Sequence, residues 1–319
     1  MGLGDQVSGC LAALANGRSY PRCEPVSFSS CRGNMAGKSV SRSGSKYSVR
    51  RSQLAYADDL KDHLVRYKQQ TLRIAENGVW RENEYEHILP VEHRFLNILE
   101  TFRQEFQERV ASGQVSFNLE DLPHLNSSQA MGINLFLPFH KSRNYSAFLA
   151  ALELDEESIQ EAHFEHVMGE QTNVDILLHG ESGHRVFIEI KLKETEFGSA
   201  GSITADYQGI FNERRPQLES VIQEKYLTLE TFKKHYQLLR YLAFLSGKSS
   251  DTFCLLVPRR NEQFKKEIAI LDAMVLDDKK DNVKVVYLED VVDQLINSLR
   301  DDELLHRHFV LFKEKYIAF

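Results

Sequence analysis

Asp175, Glu189 and Lys191 are two carboxylates and an ammonium set into two short apolar runs, Val174–Leu178 and Arg185–Leu192, on either side of Gly180-Glu181-Ser182-Gly183. Successive residues of a strand point to opposite faces, so Glu189 and Lys191 share one face. The reverse face of that run is Val186, Ile188, Ile190 and Leu192, entirely aliphatic and suited to a core. Charges at the edge of a core are costly unless something uses them. A divalent metal would use them.

The pairing can be worked out from residue numbers alone. Asp175 faces Glu189 across an antiparallel ladder if the turn is centred on Ser182, inside the glycine-flanked segment. Opposed Cβ atoms then lie about 5 Å apart. That is close enough for both carboxylates to ligate one Mg²⁺, with water and phosphate oxygens completing its shell. A slip of one residue would turn Asp175 to the aliphatic face, so the chemistry requires an odd-length loop or a bulge. The tripeptide alone decides nothing, since Asp59-Leu60-Lys61, Asp277-Asp278-Lys279 and Asp278-Lys279-Lys280 repeat it in polar surroundings. The same residues also suit a polar hairpin in which Lys191 neutralises Glu189 and Asp175 sits at a sheet edge. Without a cation, two such carboxylates raise each other's pKa.

These strands need a frame. Residues 1–50 are rich in Ser, Gly and Arg without apolar periodicity and read as a disordered basic leader. Residues 51–140 read as a helical extension. A helix from Ser52 carries Leu60, Leu64 and Tyr67 and ends at Asn77-Gly78. A second carries Phe95 to Val110 and stops at Gly113. A third runs from Gln129 to Leu137, and Pro138 closes it. Residues 141–319 read as the core, beginning with a short helix over Asn144–Leu152. Strands over His163–Met168, Val174–Leu178 and Arg185–Leu192 follow, then helices in 216–246 ending with Leu229–Leu245. A strand over Thr252–Pro258, a helical stretch near Gln263–Met274, a strand over Val283–Leu288 and a final helix complete it. That order predicts an α/β domain with a mixed sheet.

At 319 residues the chain can bury a sizeable core, and apolar and charged fractions of 42% and 27% are those of a globular protein. No run approaches the roughly 18 apolar residues of a membrane span, and the first twenty residues lack the pattern of a secretory signal. The four cysteines form no Cys-x-x-Cys pair, which points to a reducing, cytoplasmic setting rather than a zinc or disulfide framework. Net charge is −7, yet residues 1–51 carry eight Lys and Arg against Asp5 and Glu24. A basic leader on an acidic body is either a solvated tail or a non-specific hold on a phosphate backbone. There is no Walker loop, dinucleotide fingerprint or Gly-x-Ser-x-Gly.

Asp175 followed by Glu189-x-Lys191 on the next strand resembles the PD-(D/E)xK nuclease superfamily, the restriction-endonuclease-like fold, over about residues 144–258, with Val174 where the motif name has proline. More specifically, four segments resemble an uncharacterised, mostly bacterial branch of that superfamily, over about residues 76–258. They are His87-Ile88-Leu89-Pro90, Ser127-Ser128-Gln129 with Asn134-Leu135-Phe136, Thr172-Asn173-Val174-Asp175, and Tyr236-Gln237-Leu238-Leu239-Arg240. The resemblance implies an αβββαβ core and Mg²⁺-dependent hydrolysis of DNA, with Mn²⁺ able to substitute. It implies Asp175 and Glu189 as metal ligands and Lys191 as the residue that orients or activates water. It also implies an upstream acid, for which Glu165 is the candidate ahead of Glu153 and Glu161. Gln237 and Arg240, one turn apart on the following helix, are placed to approach the site or a phosphate. A non-catalytic nucleic-acid-binding scaffold is the alternative, and a homodimer is compatible with either. His163 and His166 fall on opposite strand faces, Gln129 and Asn134 suit buried hydrogen bonding, and His306 and His308 suit a helix surface.

Overall fold

The computed structural model describes residues 44–113, 118–155, 157–168, 172–201, 206–247 and 250–319. The basic leader lies outside them as far as residue 43. In chain order the elements begin with α1 (Gly44–Gln70), a small hairpin of β1 (Gly78–Trp80) and β2 (Asn83–Tyr85), then α2 (Glu100–Ala111), α3 (Ser128–Ser142) and α4 (Ser146–Ala151). Three antiparallel strands follow, β3 (Ile159–Met168), β4 (Thr172–Gly180) and β5 (Arg185–Ile190). The crossover contains α5 (Tyr207–Glu219), α6 (Leu229–Lys234) and α7 (Tyr236–Phe244), and leads to β6 (Thr252–Val257), parallel to β5. Next come α8 (Lys265–Met274), a parallel β7 (Val283–Tyr287), α9 (Leu288–Ser298) and α10 (Glu303–Tyr316). The five-stranded sheet has the order β3-β4-β5-β6-β7. This is an α/β fold with a mixed sheet flanked by helices, compatible with a restriction-endonuclease-like core.

Each sheet face has its own apolar core. Val186, Ile188 and Ile190 of β5 join Ile176, Leu178, Cys254 and Leu256 in packing against α1, α3, α4, α9 and α10. Phe187 on the opposite face joins Leu177, Phe253 and Leu255 under α5 to α8. The buried Cys254 thiol is pushed up to about 12 by loss of solvent. Tyr56, Leu60 and Leu64 of α1 belong to the first of these cores, so α1 packs with the helices that cover that face of the sheet.

The hairpin between β4 and β5 has the register that the chemistry demanded. Ile176 pairs with Ile188 and His179 with Arg185, and Gly180 N–H donates to His184 O at 2.8 Å. The loop is Glu181-Ser182-Gly183, an odd length centred on Ser182. Gly183 takes φ 81°, which costs little only without a Cβ.

Several boundaries differ from expectation, each for a physical reason. α1 stops at Gln70, and Gly78 opens β1 instead of capping a helix. A Cβ there would lie 2.3 Å from Leu89 O, so glycine permits a close backbone approach. The expected Leu229–Leu245 helix breaks at His235, whose φ −115° and ψ 41° are not helical. Pro138 does not close α3, which continues to Ser142.

Proline has no N–H for the Asn134 carbonyl one turn back. His308 supplies the missing donor, its Nε2 lying 2.6 Å from Asn134 O. The ring is therefore buried, not at the surface as its charged helix suggested, and its Nδ1 accepts from the Thr101 hydroxyl. Burial pushes its pKa down to about 4, so it stays neutral in this role. His308→Leu should destabilise the fold by about 2–3 kcal/mol in urea unfolding, because it orphans a buried carbonyl. Adding Pro138→Ala, which restores a backbone donor, should recover about 1 kcal/mol. No recovery in the double variant would refute this pairing.

Candidate active site

One step beyond the Ile176–Ile188 pair, the register sets Asp175 opposite Glu189. On the other side of β4, Phe164 pairs with Ile176 and His166 with Val174, which sets Glu165 opposite Asp175. Three carboxylates thus occupy one row across three neighbouring strands. The ladder is interrupted at this row. Asp175 Oδ2 accepts the Ile190 N–H at 2.7 Å, and Glu165 takes φ 46°, a strained value for a residue with a Cβ.

Lys191 closes the cluster. Its Nζ lies 2.7 Å from Glu189 Oε1, and both side chains are almost completely buried, at 8% and 2% exposure. Gln237 on α7 joins the two, accepting from Lys191 Nζ at 3.0 Å and donating to Glu189 Oε1 at 2.9 Å. The Tyr241 hydroxyl, one helical turn further, lies between Glu189 Oε2 and the Asn173 carbonyl, 2.7 Å from the latter. Glu165 accepts from the Asn173 and Gln129 side chains. Asp175, Glu189, Lys191, Glu165 and Gln237 therefore share one site. Glu153 and Glu161 are exposed and stand apart, the first past the end of α4 and the second against His163.

Tyr241, Asn173 and Gln129 enter this network without having been singled out as site residues. The available signal for Tyr241 was its position four residues after Gln237, which places both on one face of a helix. Asn173 stands two residues before Asp175, on the same face of a regular strand.

The electrostatics follow from burial and crowding. Loss of solvent, then the Glu189 and Glu165 charges, hold the Asp175 carboxyl well above its usual value. Burial also raises Glu165, against the hydrogen bonds from Gln129 and Asn173. Burial alone would lower Lys191, but Glu189, with help from Glu194 and Asp175, outweighs it and raises the ammonium's pKa. With every acid ionised, three negative charges face one positive charge, and a divalent cation would balance the row. Among the described residues no group of three or more His, Cys, Asp or Glu is placed to hold a metal. A small hard cation does not require such a group, because it accepts one or two carboxylates and completes its shell with water and phosphate oxygens. Asp175 and Glu189 fit that demand. Glu189 has four acceptor positions, of which Lys191, Gln237 and Tyr241 use three.

A family model described as restriction endonuclease associating with ARP matches residues 61–317. The chain belongs to that family. No curated protein and no solved structure gives a significant match. The match to the restriction endonuclease associating with ARP family takes in every residue of the carboxylate row, Lys191 and α7, and reaches back into α1. Among the described residues no helix is long and apolar enough to cross a membrane.

Proposed function

We propose that this chain is a divalent-metal-dependent nuclease of the PD-(D/E)xK type that hydrolyses DNA phosphodiester bonds at Asp175, Glu189 and Lys191. The observation that carries this reading is the convergence of a buried ammonium with a row of three carboxylates, whose charge when all are ionised would exceed it by two. Mg²⁺ bound by Asp175 and Glu189 would lower the pKa of a water and neutralise charge developing on a phosphodiester oxygen. Lys191 is held charged by Glu189, so it orients the water and stabilises that oxygen as a cation rather than removing a proton. Tyr241 and Gln237 fix the Glu189 carboxylate, and the Ile190 N–H fixes Asp175. Glu165 stands next in the row, where it can bind a ligand water.

Incubating the full chain with supercoiled plasmid and millimolar Mg²⁺ or Mn²⁺ should give nicked and linear DNA, and chelation should stop it. Tyr241→Phe, which removes one support of Glu189, should slow cleavage about 10–100-fold while costing only about 1 kcal/mol in urea unfolding. An unchanged rate would remove Tyr241 from the site's supporting shell.

A second reading has its own observation. Both Glu189 oxygens are already hydrogen-bonded by protein donors, so the network closes without a metal, as a binding scaffold that retains the fold would need. Thermal melting separates the two. An upward shift with Mg²⁺ that disappears in Glu189→Gln supports the metal site, and no shift at millimolar Mg²⁺ supports the scaffold.

A further inference from the structure

Beside Gln237, two tyrosine rings in contact are flanked by a cation at either end. The Arg240 guanidinium lies over the Tyr236 ring at 5.1 Å, Tyr236 meets Tyr207 edge to face at 5.4 Å, and Lys233 Nζ lies over Tyr207 at 5.9 Å. Lys233 is exposed, and the other three are half-buried. Phe232 packs edge-on beneath Tyr236 at 5.3 Å and fixes that ring from the core side. Asp206 at the start of α5 is engaged as the helix cap, accepting from Gly209 N–H at 2.9 Å.

The ladder starts at the active site. Residues of a helix are set about 100° apart, so Arg240 projects roughly 60° and Tyr236 roughly 100° to one side of Gln237. Gln237 itself touches Glu189 and Lys191. The loop after Lys191 is bound to the same two helices, through Gln237 N–H to Gly198 O at 3.3 Å and Ala200 N–H to Lys233 O at 2.8 Å.

We propose that Arg240, Tyr236, Tyr207 and Lys233 form a track for a single-stranded segment of DNA leading to or from the site. Two neighbouring rings bracketed by two cations match neighbouring bases with phosphates on either side. Every base has a stacking face, but only an unpaired base can present it to a tyrosine. A duplex could use the two cations and would leave the rings idle. The substrate class is therefore DNA with an unpaired strand next to the scissile bond, such as an overhang, a flap or a splayed junction. This rests on the nuclease reading for the nature of the ligand, and its test requires no cleavage.

The test is equilibrium binding of the full chain, without divalent metal, to a fluorescent thymidine oligonucleotide of about 12 nucleotides and to a duplex of the same length. Wild type should bind the single strand more tightly. Tyr207→Ala should weaken single-strand binding about tenfold and duplex binding less than about twofold. Lys233→Ala, on an exposed side chain that leaves the fold undisturbed, should lower the slope of log affinity against log salt by about 0.7 on the single strand. Equal losses on both DNAs, or no loss from either substitution, would overturn the track. Failure of plasmid cleavage would count against the nuclease reading and leave this measurement intact.

Discussion

Asp175→Asn is expected to lose cleavage and gain stability together. The loss should be about 10³-fold or more, because one of the two carboxylates proposed to bind the metal is gone. The gain follows from the direction of the pKa. Burial, then Glu189 and Glu165, raise the Asp175 carboxyl above its ordinary 3.8 in the folded chain. A raised carboxyl favours the fold fully only below the unfolded value. That contribution disappears as pH rises through the folded pKa, above which the group is ionised and repelled. Asparagine keeps an oxygen for the Ile190 N–H and removes the charge. The metal-free variant should therefore be about 1 kcal/mol more stable than wild type at pH 8, equivalent to a few degrees in Tm. The advantage should shrink toward pH 4 and be offset by millimolar Mg²⁺. Melting curves across pH decide it: a variant less stable than wild type at pH 8 would show that the row is not under repulsion.

The second large effect concerns Lys191. Lys191→Met removes the one cation of a buried pair, leaving Glu189 charged with only Gln237 and Tyr241 as donors. Orphaning one member of such a pair costs about 3–5 kcal/mol. Neutralising the other member should recover much of that, so Lys191→Met with Glu189→Gln should be more stable than Lys191→Met alone. Both variants should be inactive on plasmid. Urea unfolding of the single and double variants tests the pairing independently of activity. A double variant as unstable as the single one would mean that Lys191 contributes through packing rather than charge.

How much of this was legible beforehand differs between parts of the site. The β4–β5 register followed from the glycine-flanked turn and the period of two, because a slip would have buried charge and exposed Val186, Ile188 and Ile190. Glu165 came from the resemblance, which implies an upstream acid and left Glu153 and Glu161 as alternatives. Tyr241 followed from neither, since its hydroxyl reaches Glu189 across 52 positions, while its ring, wholly buried, reads as one more apolar residue of α7. His308 was misplaced for a related reason. Its partner Asn134 is 174 positions away, and only the proline in α3 creates a carbonyl in need of a donor. Local periodicity encodes faces and turns, whereas a polar group satisfied by a distant helix leaves no local trace. The break at His235 is similar, because the apolar period runs through it while the backbone does not.

The central claim is that Asp175 and Glu189 jointly hold one divalent cation. Titrating the full chain with Mn²⁺ and following the free ion by electron paramagnetic resonance measures this directly. One ion per chain is expected for wild type, with affinity weakened at least about tenfold in Glu189→Gln and unchanged in the exposed control Glu161→Gln. Wild type and Glu189→Gln binding Mn²⁺ equally, or neither binding it at millimolar concentration, would contradict the claim.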